Sequence, residues 1–402
     1  MKVGFHLPQW GPTASRSAVL AVAKVAEAAQ LDSVWVADHI VYPTASDSRY
    51  PYRSKGLPFS ASEGFLEAIT QLSVVAGATE HIRLGTSVLV LPMREPLLAA
   101  KMMTTLDVLS GGRAVIAVGA GWWQEEFDAV SAPFARRGAR LDEQLAILKA
   151  AWQQGTFDYH GENYEFAEVS CLPLPIQPGG PPVLIGGNGP VSWKRAGRAG
   201  DGWHAVGIAL DALKRGVEQV RLAADSVGRD PARLEFSVST GMSRSAAQTV
   251  ERLGALRDIG MTQAVLNTGA GGNELGAYLN SVETLADSVL PQIRSRLASS
   301  PRAVALPWEF GAGCGLSSGG GRCRPVARFA ARGRVPWPEP RLCRGSAGSG
   351  RRVLPGALIG RRAGGDRDDW SGLAREAEPP WDASPSTAWR RDLDLRVASC
   401  RL

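Results

Sequence analysis

Cysteine, metal-binding motifs and long apolar runs are scarce in this 402-residue chain, and each scarcity excludes something. Residues 1–300 hold a single cysteine, Cys171, so no disulfide framework can form there and a reduced, cytoplasmic setting is expected. The remaining cysteines, Cys314, Cys323, Cys343 and Cys400, are spaced too widely for a metal knuckle. The five histidines show no metal spacing and His-Glu-x-x-His is absent, so no metal site is expected. No apolar run reaches the roughly 18 residues of a membrane span, and Met1–Gln9 lacks the apolar stretch of a signal peptide. Neither a span nor a leader is therefore expected. Within 1–300 there is no Gly-x-Gly-x-x-Gly opening a first strand–helix unit, no Gly-Lys-Ser or Gly-Lys-Thr, and no Gly-x-Ser-x-Gly. Classical dinucleotide, P-loop and serine-hydrolase chemistry have no foothold there.

The net charge of +6 is unevenly distributed. Residues 301–402 carry 18 Arg, no Lys and 10 acidic side chains, whereas 1–300 carry 27 basic and 29 acidic ones. The body is nearly neutral and needs no nucleic-acid partner. The C-terminal segment also holds 15 Gly, 10 Pro and five Trp, without helical or strand periodicity. It reads as a low-complexity tail, expected to be disordered because such composition buries too little surface to offset chain entropy. Arg, Gly, Pro, Ala and Trp without Lys is what GC-rich DNA yields when translated in a shifted frame. A basic tail for nucleic acid or membrane is the rival reading. Two parts are thus expected: a folded domain over 1–300 and a tail over 301–402.

Eight strand–helix pairs run through the body. The strands are expected at 3–7, 33–37, 82–91, 114–118, 183–185, 202–206, 234–239 and 264–267. The helices are expected at 18–29, 63–76, 96–109, 137–152, 191–199, 210–226, 245–259 and 282–297, each with apolar residues on one stripe. Residues 153–182, with Leu-Pro-Leu-Pro at 172–175, interrupt the rhythm as an insertion after the fourth helix. Short Val/Ile/Leu-rich strands suit parallel pairing covered on both faces. The α/β pattern fits an open doubly wound sheet or a closed (β/α)₈ TIM barrel, and eight pairs favour closure.

In such a barrel, chemistry sits at the C-terminal ends of the strands. Strand two ends in Asp38-His39, and an imidazole there suits proton transfer near neutral pH. Strand three ends in Gly85-Thr86-Ser87-Val88-Leu89, strand four in Gly119-Ala120-Gly121-Trp122-Trp123, and strand five in Gly186-Gly187-Asn188-Gly189. Glycines there permit close backbone approach to a ligand, and the last run opens a helix whose free N–H groups suit a phosphate. Glycine also simply suits such loops. The long connection Ile40–Ser62 carries Tyr42, Tyr50, Tyr52, Arg53, Lys55 and Phe59, and is expected to shape the substrate site. Trp10 ends strand one, where it can stack on a flat cofactor or simply pack.

Taken in order, Val3–Gln9, Asp32–His39, Leu84–Val88, Leu109–Arg113, Gly119–Trp122, Arg137–Glu143, Gly186–Gly189 and Ala199–Trp203 resemble the bacterial luciferase-like flavin and F420-dependent oxidoreductases. The resemblance spans 1–300 nearly continuously. It implies a barrel that moves a hydride to or from a small organic substrate with coenzyme F420. The alternatives are an FMN-dependent monooxygenase that uses reduced flavin and oxygen, and a barrel that only binds. It implies that Asp38 meets the cofactor and orients the ring or His39, and that His39 lies near the reacting face. It further implies a non-proline cis peptide at Ser87–Val88 beside the ring. Thr86, Ser87, Val88, Gly119, Ala120, Gly121, Gly186, Gly187, Asn188 and Gly189 would line the cofactor. The sugar-phosphate dehydrogenases of this group have a catalytic Glu directly after the second glycine of the strand-four motif. Trp122 stands there instead. That disfavours a sugar phosphate and points to an apolar or aromatic substrate. Glu126 then becomes a catalytic candidate and Glu125 a cofactor contact. A homodimer, and a reductase supplying reduced cofactor, are also implied.

If the two-part division is right, the fragment 1–300 unfolds cooperatively and binds cofactor as the full chain does. Thermal melts with cofactor titrations check this, and a non-cooperative melt of the fragment would refute it.

Overall fold

The apolar runs become strands because neither of their faces meets water, and the amphipathic segments between them cover the outside. The computed structural model describes residues 1–298 except 53–55, 58, 270 and 271. The C-terminal tail, Arg53 and Lys55 lie outside the described residues. The strands are β1 (Lys2–His6), β2 (Ser33–Val36), β3 (Arg83–Val90), β4 (Ala114–Gly119), β5 (Thr156–His160), β6 (Glu165–Ser170), β7 (Val183–Gly186), β8 (Gly202–Val206), β9 (Glu235–Gly241) and β10 (Gln263–Asn267). All but β5 and β6 pair in parallel and close in the order β1-β10-β9-β8-β7-β4-β3-β2. The expected TIM barrel is therefore present. Closure follows from the β1 pairings, Val3 with Ala264 on one side and Phe5 with Val34 on the other.

The covering helices are α1 (Arg16–Ala28), α2 (Ala68–Ala76), α3 (Pro96–Leu109), α4 (Gln124–Ala129), α5 (Arg137–Gln154), α6 (Pro190–Ala199), α7 (Leu210–Asp225), α8 (Ala246–Asp258), α9 (Leu275–Thr284) and α10 (Leu290–Ala298). Caps set several starts. The Ser15 hydroxyl accepts from the Ala18 amide at α1, and Glu95 accepts from Leu98 at α3, where Pro96 occupies the first turn.

Several elements differ from expectation. The second helix starts at Ala68 rather than residue 63, because the Glu67 carboxylate accepts the Thr70 amide and caps it there. The residues before it form a loop tied back by Leu66 N–H to the Gln9 carbonyl. The insertion contains an antiparallel hairpin, β5 with β6. The last covering segment begins at Leu275, and a π-helical turn at Leu285–Val289 joins α9 to α10.

Trp35 fills the barrel interior with Val115, Ala117, Leu184 and Val265. It fits because two neighbours lack a Cβ: one added at Gly85 would stand 2.4 Å from the indole, and one at Gly4 2.8 Å from its Nε1. The indole donates to Ser33 Oγ at 2.8 Å and stacks on His204 with centroids 5.2 Å apart. His204 also bridges Ser87 Oγ at 2.8 Å and Ser237 Oγ at 3.0 Å, and His6 meets Ser239 Oγ at 2.8 Å.

Burial pushes His6 down to about 4, and burial with the nearby His6 pushes His204 down to about 3. Both rings are thus neutral in the fold at pH values where an unfolded His is already charged. The stability they contribute is complete above about 6.5 and declines as pH falls through that value toward about 4. Near pH 5 unfolding should take up about two protons on their account, and the melting temperature should drop accordingly. His204→Gln should remove about one of these protons, and an unaltered pH slope would refute the assignment.

Candidate active site

The rim at the C-terminal ends of the strands is built from short segments that sequence order keeps far apart. Asp38 stands two residues past the end of β2 and is buried. Its Oδ2 accepts from Arg94 Nη1 at 2.7 Å and from the Val90 amide at 2.8 Å, while Oδ1 accepts from Arg94 Nη2 at 2.8 Å. Arg94 also reaches Glu67 at 3.1 Å. A buried carboxylate requires such a partner. Asp38 therefore clamps β2 to the end of β3, and it is not the group that orients His39. Arg94 was missed in the sequence, although the Asp38 charge at a buried strand end signalled that a cation must face it.

His39 points elsewhere. Its Nδ1 lies 2.9 Å from Oε2 of Glu126, and the other oxygen of that carboxylate accepts the Ile40 amide at 2.7 Å. Glu126 sits on α4, the short helix after β4, and is 2% exposed. Four aromatic rings stand edge-on or steeply inclined around the imidazole: Phe59 at 5.3 Å, Phe65 at 5.5 Å, Trp123 at 5.6 Å and Trp122 at 6.4 Å between centroids. Trp122 and Trp123 stack on each other at 5.1 Å. Trp10 stacks on Phe65 at 6.1 Å, so it joins this wall as a packing partner.

Glu125 serves the loop instead. It accepts from the Asp47 amide at 2.8 Å, the Ser48 amide at 3.2 Å and Ser48 Oγ at 2.6 Å. The Ser48 hydroxyl and the backbone amides hold its carboxyl down at about 2. Trp123 Nε1 donates to Ser46 Oγ at 2.8 Å nearby. Residues 46–48 of the long connection are thereby fastened to the start of α4.

The register of β3 against β4 shifts between Thr86 and Leu89, and the Ser87–Val88 peptide inside that bulge is cis. Thr86 Oγ1 is buried and donates to the Ala117 carbonyl. The Val88 side chain fills space that two rim glycines leave open. A Cβ on Gly119 would stand 2.8 Å from it, and one on Gly186 2.6 Å. These two glycines seat Val88, a role that their expected contact with a cofactor had not included. Gly121 has φ +82°, and a Cβ there would meet Phe127 at 2.5 Å. Ala120 packs on the main core. The Asn188 amide spans both backbone groups of Val206, at 2.6 and 3.2 Å. Gly187 has φ +120° and its carbonyl accepts from Trp203 Nε1. Gly189 caps α6 without a side-chain bond and has open space where its Cβ would be, with Pro190 in the first turn. This is the one glycine of the run whose surroundings stay clear for a ligand's anionic end.

Among the described residues no cluster of His, Cys, Asp and Glu could hold a metal, and no helix is long and apolar enough to cross a membrane. A family profile described as luciferase-like monooxygenase matches residues 1–287. An uncharacterised protein of Mycobacterium tuberculosis is 31% identical over 280 residues, covering 68% of this chain and 94% of its own. Two solved structures share the fold. An F420-dependent secondary alcohol dehydrogenase in complex with an F420-acetone adduct has a TM-score of 0.59 at 18% identity, covering 73% of this chain and 99% of its own. The FMN-bound oxygenating constituent of 3,6-diketocamphane monooxygenase from Pseudomonas putida has a TM-score of 0.57 at 17% identity, covering 72% and 98%. Enzymes of similar fold thus divide between F420 and FMN, a shared class of tricyclic redox cofactor. With eight parallel strands closed, the bulge in place and the profile matched over most of the barrel, this chain belongs to the luciferase-like monooxygenase family.

Proposed function

We propose that the barrel is an oxidoreductase that uses coenzyme F420 to pass a hydride to or from a small apolar or aromatic molecule, with His39 handling the accompanying proton. The observation that carries this reading is the His39 ring, held at the rim by a buried carboxylate and walled by Phe59, Phe65, Trp122 and Trp123. A wall of this kind favours flat apolar surface over a phosphorylated sugar. The residues fit the cofactor class. The bulge at Ser87–Val88 offers backbone beside a planar ring, and the uncapped start of α6 at Gly189 suits a phosphate. When bound, F420 supplies a carbon that gives or accepts a hydride, and the protein supplies position and field.

The chain's own groups do the rest. His39 Nε2 has no hydrogen-bond partner among the described residues and is the atom available to substrate. As a hydride leaves an alcohol carbon, Nε2 takes the hydroxyl proton, and in reverse it returns that proton to the carbonyl oxygen. The 46–48 segment, fastened to the start of α4 through Glu125 and Trp123, helps to keep water from the His39 side of the rim. Asp38 acts at one remove, by fixing the strand ends through Arg94.

The FMN reading stands beside this one because an FMN-bound monooxygenase shares the fold. In that case a reductase would supply reduced flavin. A barrel that only binds is the third reading. A second copy of the chain is the proposed partner. Leu98 and Leu109 on α3, with Leu172, Leu174 and Ile176 of the insertion, leave apolar side chains exposed.

Incubation with F420 and, separately, with reduced FMN, followed by desalting, should leave F420 absorbance with the protein. Retention of FMN alone favours the monooxygenase, and retention of neither favours the binding-only barrel. His39→Ala should fold but melt below the parent, because the buried Glu126 carboxylate loses a partner; it should retain cofactor and lose about 10²–10⁴-fold in single-turnover hydride transfer at saturating cofactor. An unchanged rate at every pH would make His39 a bystander.

A further inference from the structure

We infer that Glu126 is the positioning residue of this site: its carboxylate locks His39 into the tautomer with the proton on Nδ1, which leaves the Nε2 lone pair as the reactive atom. This rests on the reading of His39 as the proton-handling group.

The geometry carries the assignment in three steps. First, an ionised carboxylate only accepts hydrogen bonds. With Oε2 at 2.9 Å from Nδ1, the proton of a neutral ring must therefore lie on Nδ1. Second, the carboxylate is itself fixed. Its Oε1 takes the Ile40 amide at 2.7 Å, and at 2% exposure water does not compete for it. Third, the ring has little room to turn over, because Phe59, Phe65, Trp122 and Trp123 pack around it. A flipped ring would exchange the two nitrogens, leaving Nε2 on the carboxylate.

The other acids nearby are already committed. Both Asp38 oxygens serve Arg94 and Val90, and Glu125 serves Ser48 and Asp47. Glu126 is thus the charge that faces the imidazole directly. Its further effect follows from Coulomb attraction. When Nε2 takes a proton from a substrate hydroxyl, the imidazolium forms 2.9 Å from a carboxylate that is screened from water. When the hydride moves the other way, the same ion pair is discharged as Nε2 returns the proton. In the oxidative direction the proton stays on Nε2 and passes to solvent before the next turnover; in the reductive direction the ring starts protonated and ends neutral.

The test needs no cofactor or substrate. Long-range ¹H–¹⁵N spectra of the ¹⁵N-labelled full chain report which nitrogen of each histidine carries the proton. His39 is assigned by the signal lost in His39→Gln. The expected result is an Nδ1–H tautomer for the neutral ring. A neutral His39 with its proton on Nε2 would overturn the proposal whatever any variant does. Glu126→Gln keeps the shape and removes the charge. Its amide oxygen should keep the Ile40 N–H, which turns the NH₂ toward Nδ1 and moves the proton of the neutral His39 ring to Nε2. Where F420 turnover is measurable, the same variant should lose roughly 10²–10⁴-fold in single-turnover rate with cofactor retention unchanged. A His39 tautomer identical in parent and variant would also overturn it, since a carboxylate that merely braces the Ile40 amide would leave the imidazole unmoved. Because the spectra are recorded without cofactor, failure of the F420 reading leaves their outcome standing.

Discussion

The Asp38 carboxylate is buried at the rim of the barrel, and Arg94 with the Val90 amide occupies both of its oxygens. Much of the site depends on that pairing. It ties the end of β2 to the end of β3, on either side of the bulge that contains the cis Ser87–Val88 peptide. Through Glu67 it also reaches the cap of α2, so the strand ends and the second covering helix share one charged junction. Removing one partner of such a buried pair leaves an uncompensated charge and costs about 3–5 kcal/mol. With Asp38 held inward, the next residue along the chain is free to face the mouth.

Two adjacent acids on α4 illustrate how a helix divides labour. Consecutive residues on a helix point in directions about 100° apart. Glu125 faces the 46–48 segment and holds it by three hydrogen bonds, while Glu126 faces His39 and is shut away from water. One carboxylate fastens residues 46–48 to the helix and the other meets the imidazole of His39. Trp123 links the two, since it lies against His39 and donates to Ser46. The placement of residues 46–48 and of the His39 ring is therefore tied to one short helix.

The glycines of the rim were conspicuous in the sequence, and their work is more varied than their positions suggested. Gly119 and Gly186 make room for Val88, Gly121 for Phe127, and Gly4 and Gly85 for Trp35 deep in the barrel. Each admits a side chain from another segment of the chain. Only tertiary packing can reveal that, because the incoming side chain belongs to another segment. Gly189 differs, since nothing occupies the space beside it. Asn188 lies in the same run, yet its amide is spent on bridging Val206.

The local sequence settled the architecture. Short apolar strands alternating with amphipathic helices leave little choice but a sheet covered on its outer face, and eight repeats suffice to close it. The strand ends could be read from the same pattern, and the barrel brings those ends to one rim. Asp38, His39, the bulge at Ser87–Val88 and the glycine runs all stand on that rim. Which side chains meet there was decided by the fold. Arg94 comes 56 residues after Asp38, and Glu126 comes 87 residues after His39. No periodicity carries information over such separations. A carboxylate finds its partner by desolvation and geometry, and both exist only once the barrel has closed and brought the ends of β2, β3 and β4 together.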